Sequence, residues 1–117
     1  MPISVVIVGD HRGFRSFARA LLEAEGFEVV GEAEDGASAL AAVDELRPQL
    51  ILLDVQLPDL DGFAVAERLS RQANRPSVVL ISSRDISSYR RRLAGSPVRG
   101  FIHKSELSGS ALSALVP

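Results

Sequence analysis

The 117-residue sequence contains no cysteine. That absence excludes a disulfide scaffold, a thiol nucleophile and any cysteine-based zinc site. Two isolated histidines, His11 and His103, are too few for a histidine metal cage, and no chemistry is assigned to either. Lysine is nearly missing as well: of 13 basic residues only Lys104 is a lysine, the rest being arginine. The formal net charge of −2, mixed in sign, gives no reason to expect direct binding of nucleic acid. No apolar run approaches membrane-spanning length, and Met1-Pro2-Ile3 has no basic leader, so no membrane association and a cytoplasmic location are expected. With 46% apolar residues the chain is rich enough to fold, and residues 1–117 suffice for one domain but not two.

What is present alternates. Ile3 to Val8 is a β-branched apolar run, a buried strand ending at Gly9-Asp10-His11. Phe14, Phe17, Ala18, Leu21 and Leu22 then recur at three- and four-residue spacing, one face of a helix stopped by Gly26. Phe27 to Ala33 is a second strand, and Asp35-Gly36 opens a helix expected to turn Ala37, Leu40, Ala41 and Leu46 inward. After Pro48 comes Leu50-Ile51-Leu52-Leu53, buried on both faces as a central parallel strand must be, running straight into Asp54. Asp61-Gly62 starts a third helix with Phe63, Ala66 and Leu69 on its inner side. Ser77 to Ile81 is a fourth strand ending in Ser82-Ser83. A short polar helix from Ile86 to Leu93 is weakly anchored by Ile86, Tyr89 and Leu93, and Arg90-Arg91-Arg92 is a solvated face. A brief strand, 99–103, ends at Lys104, and a weak helix from Glu106 to about Leu115 follows.

Strand and helix alternating five times means an α/β domain, a doubly wound parallel sheet with right-handed crossovers. In such sheets chemistry gathers beyond the carboxyl ends of the strands. Asp10, Asp54, Ser82 and Lys104 all fall there. In strand order 2-1-3-4-5 the two acids lie on neighbouring strands about 5 Å apart; in order 3-2-1-4-5 they do not, and periodicity leaves both orders open.

Asp10-His11 after an apolar strand, Leu53-Asp54-Val55-Gln56-Leu57-Pro58-Asp59-Leu60-Asp61-Gly62, Ile81-Ser82-Ser83 and Gly100-Phe101-Ile102-His103-Lys104 together resemble the receiver domain of two-component response regulators. His11 after the acid, and Ser105 after Lys104, look most like the NarL/FixJ-type group. The resemblance implies the flavodoxin-like (βα)5 fold in order 2-1-3-4-5. It implies that Asp54 accepts a phosphoryl group from a histidine kinase, with Mg²⁺ held by Asp10, Asp54 and the backbone carbonyl of Gln56. Lys104 would pair with the phosphoryl oxygens, Ser82 would hydrogen-bond them, and Phe101 would change rotamer. Gly9, Gln56, Ser83 and Arg84 flank these positions and would modulate them. Such a domain assists its own phosphorylation and dephosphorylation and turns over no other substrate. Relatives in the group often form homodimers and carry a DNA-binding output domain after the receiver; these 117 residues include none.

One departure matters. Receivers normally have two adjacent acids after the first strand, and here Gly9 replaces one of them, so weak Mg²⁺ binding is expected. The rival expectation is a pseudo-receiver, an interaction module that works without phosphorylation. A haloacid-dehalogenase-like phosphatase fits less well, because that family wants Asp-x-Asp at the end of its first strand and here the second position after Asp54 is Gln56, on the third; nucleotide binding fits less still, because no glycine-rich loop follows a strand.

Overall fold

The computed structural model describes residues 2–116. Its five strands are β1 (Ser4–Val8), β2 (Glu28–Ala33), β3 (Leu50–Asp54), β4 (Ser77–Ser82) and β5 (Gly100–His103). They form one parallel sheet in the order β2-β1-β3-β4-β5. The open choice of strand order thus resolves to the flavodoxin-like one, with β1 and β3 adjacent. Register pairs Val8 with Leu53 and Asp54 with Ile81, so the ends of β1, β3 and β4 come level at one rim.

The helices are α1 (Arg12–Ala24), α2 (Gly36–Leu46), α3 (Gly62–Ser70), α4 (Arg90–Ala94) and α5 (Gly109–Ser113). They divide between the two faces of the sheet. Val5, Ile7, Leu50, Leu52, Val79 and Ile81 point to the face covered by α1 and α5, through Ala18, Leu22 and Leu112. Val6, Val8, Ile51, Leu53, Val78 and Leu80 point to the face covered by α2, α3 and Tyr89. Strand side chains alternate between faces with period two, so a continuous apolar run is what a twice-covered strand requires. All five residues of β3 are buried, the acid included.

Four expectations about helices are corrected. In α2 the buried residues are Gly36, Ala39 and Val43, whereas Ala37, Ala41 and Leu46 face solvent. The helix is alanine-rich nearly all round, and such a pattern carries little phase information. Phe17, assigned to the inner face of α1, is 57% exposed, and Ile86 does not anchor the fourth crossover either. The last helix is shorter than expected: a 3-10 turn covers Lys104–Glu106, then Ser108 caps α5 by accepting the Ala111 N–H. Gly109 lies so close to α1 that a Cβ there would fall on the Glu25 carboxylate.

Candidate functional site

Asp54 closes β3, where the ladder ends and the chain turns. Its carboxylate is almost wholly enclosed, with the side chain 4% exposed. Burying an unpaired carboxylate is costly, and here it is paired. Lys104, the residue after β5, brings Nζ to 2.7 Å from Asp54 Oδ2, and the Gln56 N–H donates to Oδ1 at 3.1 Å. Gly62 makes the turn possible. Its N–H donates to the Val55 carbonyl at 2.8 Å, and a Cβ at that position would lie 2.6 Å from the Asp54 carbonyl oxygen. Only glycine lets the start of α3 approach the end of β3 this closely. Asp61 then caps α3 by accepting the Ala64 N–H.

Gly9 leaves β1 directly against the acceptor: a Cβ built on it would stand 3.6 Å from Asp54 Oδ2, at ordinary contact distance. The next residue, Asp10, is exposed, 3.6 Å from His11 Nε2. Arg15 donates to the Gly9 carbonyl while its Nε holds Glu32 Oε1 at 3.0 Å. Glu32 also takes Arg19 Nε at 2.7 Å; burial opposes its ionisation, but the two guanidiniums outweigh burial and hold its carboxyl below the usual range.

Ser82 ends β4 and is buried. Its Oγ accepts the Arg84 N–H at 3.0 Å and lies 3.2 Å from the Tyr89 hydroxyl. Arg84 reaches across to Gln56, with Nε and Nη2 each 3.1 Å from the amide oxygen once the amide is turned to face them. Phe101, half-buried in β5, places its ring 5.8 Å from that of Tyr89.

Three residues at this rim escaped the sequence reading. Phe14 lies against the lysine, with Nζ 4.6 Å from its ring centroid, a cation–π contact. His103 ties two loops together: Nδ1 accepts the Ser105 N–H at 3.2 Å, which leaves Nε2–H to donate to the Ser83 carbonyl at 2.9 Å. Tyr89 is the third. In the sequence it reads only as an anchor, and its position seven residues after Ser82 gives no hint that the two hydroxyls meet.

Fit to a divalent cation rests on the donor set. Asp10, two residues beyond β1, and Asp54, the last residue of the adjacent β3, are hard oxygen donors, and Mg²⁺ commonly takes one or two carboxylates, completing its shell with water and phosphate. The residues therefore fit, one carboxylate short of the usual pair. Consistently, the described residues contain no cluster of three or more acidic or histidine side chains able to hold a metal.

Fold and rim together define a class: a flavodoxin-like α/β domain whose acid, hydroxyl and lysine converge at the carboxyl edge of a parallel sheet. The response regulator receiver domain family matches residues 5–115, and the chain belongs to that family. It is 37% identical over 102 residues to the virulence transcription regulator BvgA of Bordetella pertussis, covering 87% of this chain and 49% of BvgA. It is 26% identical over 113 residues to the DNA-binding transcriptional activator EvgA of Escherichia coli, covering 97% of this chain and 55% of EvgA. The chain thus spans about half the length of these relatives. Among solved structures, the receiver domain of NarL from Mycobacterium tuberculosis superimposes with a TM-score of 0.85 at 32% identity, covering 97% of this chain and 96% of that one. No helix among the described residues is long and apolar enough to cross a membrane.

Proposed function

We propose that this domain accepts a phosphoryl group on Asp54 from the phosphohistidine of a histidine kinase and relays the change to its α4–β5 surface. The observation that carries the reading is the 2.7 Å pair between Lys104 and the enclosed Asp54, the chain's one lysine set against the acid that ends its central strand. A carboxylate oxygen attacks phosphorus, the phosphorus–nitrogen bond breaks, and the imidazole leaves with the electron pair and takes up a proton. The product is an acyl phosphate; attack by water returns the carboxylate and inorganic phosphate. Lys104 passes from pairing the carboxylate to pairing phosphoryl oxygens, with no long movement needed. Ser82 offers a hydroxyl to the same group. A divalent cation held by Asp10, Asp54 and the Gln56 carbonyl would neutralise phosphoryl charge. Ser83 and the Arg84–Gln56 pair flank the approach of water and set the lifetime of the acyl phosphate. A cytoplasmic kinase domain, a DNA-binding output domain and a second copy of the chain are the partners this reading entails.

Incubation with phosphoramidate and Mg²⁺ tests it. The expected result is one added phosphoryl mass, abolished in Asp54→Asn. Gly9 favours a second reading, the phosphorylation-independent interaction module, since it removes one metal-binding carboxylate. Absence of the mass gain at every Mg²⁺ concentration would decide for that reading, whereas continuous turnover of a small phosphoester would mark a phosphatase.

A further inference from the structure

The Ser82 hydroxyl is already occupied. Both its partners lie on the β4–α4 side, the Arg84 N–H at 3.0 Å and the Tyr89 hydroxyl at 3.2 Å, and no hydrogen bond joins it to Asp54 or Lys104. Tyr89 is buried, its ring tilted between Phe63 and Phe101 at 5.8 Å from each. A buried phenol needs a partner for its hydroxyl, and among the described residues that partner is Ser82. Resting on the phosphoacceptor reading, we propose that Tyr89 is the aromatic residue that reads the state of Ser82. Its hydroxyl holds Ser82 Oγ in the unmodified domain and is released when a phosphoryl group on Asp54 draws the serine away.

The reasons are in the geometry. At 3.2 Å the contact lies beyond the usual range for hydroxyl pairs, so it is the bond that yields when Ser82 moves toward a charged acceptor. Phe101 has no polar atom with which to sense a hydroxyl; it follows Tyr89 through ring contact. Tyr89 immediately precedes α4, while Arg92, three residues on, holds Asp61 Oδ2 at 2.6 Å and stacks 4.3 Å from the Phe63 ring centroid. Two polar attachments therefore hold α4 beside the packing of Tyr89 and Leu93, one at Ser82 and one at α3. Releasing the first leaves the helix pivoting on the second, which repositions a surface without unfolding it.

The composition supplies the assay. Tyr89 is the only tyrosine and there is no tryptophan, so intrinsic emission reports this side chain alone. Beryllium fluoride with Mg²⁺ serves as the phosphoryl mimic, and bound fluoride is followed separately by fluorine NMR. In the unaltered domain, emission changes as fluoride binds. In Ser82→Ala the resting emission already differs, and saturating beryllofluoride produces no further change; Ser82→Thr restores the response. In Tyr89→Phe the competing bond is gone, so half-saturation falls to about one-fifth of the original beryllofluoride concentration, the weight of one neutral hydrogen bond. A purely structural tyrosine would lower stability when altered and would not tighten anion binding. Bound fluoride with unchanged emission, or equal or weaker binding by Tyr89→Phe, overturns the role of Tyr89 and leaves the phosphoacceptor reading standing. Failure of both beryllofluoride and phosphoramidate to load Asp54 overturns both.

Discussion

Replacing Gly9 with aspartate should make the domain less stable without metal and bind metal more tightly. A Cβ at this position has room, with Asp54 Oδ2 at 3.6 Å and the Phe14 ring at 3.9 Å, so the backbone need not move. The new carboxylate would then stand about 5 Å from that of Asp54. Two like charges at that separation repel by about 3 kcal/mol at the effective dielectric of a protein surface. Lys104, already bound to Asp54, and mobile salt offset part of this, leaving a net cost of about 2 kcal/mol. For a domain of this size that is a fall of roughly 6–10 °C in the unfolding midpoint in chelator.

Mg²⁺ reverses the sign. A ligand that binds only the folded state stabilises it in proportion to the logarithm of its concentration over its dissociation constant. The added carboxylate both relieves its own repulsion on metal binding and contributes a donor, so affinity should rise by roughly ten- to a hundred-fold. Thermal unfolding of both proteins across a Mg²⁺ series, with calorimetric titration beside it, measures the two effects together. The midpoints should cross, the variant lying lower in chelator and gaining more per decade of metal until saturation. Equal Mg²⁺ affinities, or a variant unaffected by chelator, would refute the placement of Gly9 beside the acceptor.

Further expectations follow from individual contacts. Gly62→Ala drives a Cβ against the Asp54 carbonyl and the Val55 Cα, at 2.6 and 3.0 Å, so unfolding free energy should fall by about 2–4 kcal/mol. Denaturant melts check this, and undiminished stability would show that α3 can shift without disturbing the end of β3. At Asp61 burial opposes ionisation, but the Arg92 bond and the Ala64 N–H prevail and lower its pKa below the ordinary 3.8. A depressed folded pKa stabilises the domain above the unfolded value, and the contribution is lost as pH falls through the folded one. Asp61→Asn, which still caps α3, should therefore flatten the stability profile below about pH 4. An acid limb as steep as the original would place the titrating group elsewhere. His103→Ala removes the link from Nε2 to the Ser83 carbonyl, 2.9 Å long, and should speed amide hydrogen exchange across Ser83 to Asp85 while leaving β3 protected.

The architecture was legible because β1, β3 and β4 are continuous apolar runs, and only a sheet covered on both faces accommodates such runs. Asp54 and Lys104 were legible for a related reason: each is a charge placed where an apolar strand stops, and neither belongs in a core without a partner. What the residues alone left open was the strand order, since pairing between β1 and β3 is a long-range contact that periodicity does not encode. Helix faces proved harder. Phe17 keeps helical spacing with Phe14 yet faces solvent, because spacing fixes which residues share a stripe and not where its edge lies. Tyr89 and His103 were missed because the contacts that matter, to the Ser82 hydroxyl and the Ser83 carbonyl, cross a loop, and no pattern along the chain marks a partner found only in space.

The fourth crossover joins these observations to function. It is the least regular of the long connections: a 3-10 turn over Ile86–Ser88 and a five-residue helix, with Ile86 half exposed. The buried Tyr89 ring and the half-buried Leu93 pack it onto the core, and the directed contacts that tie it down are the Tyr89–Ser82 hydroxyl pair and the Arg92–Asp61 ion pair. In so short a segment, replacing one acceptor with a better one can shift the balance between two seatings. Under the phosphoacceptor reading, a phosphoryl group on Asp54 would be such an acceptor for Ser82, adding roughly two negative charges and three oxygens beside it. On the proposed reading, a short helix held by one buried ring and two polar contacts is thus the element through which an event at Asp54 would reach the surface.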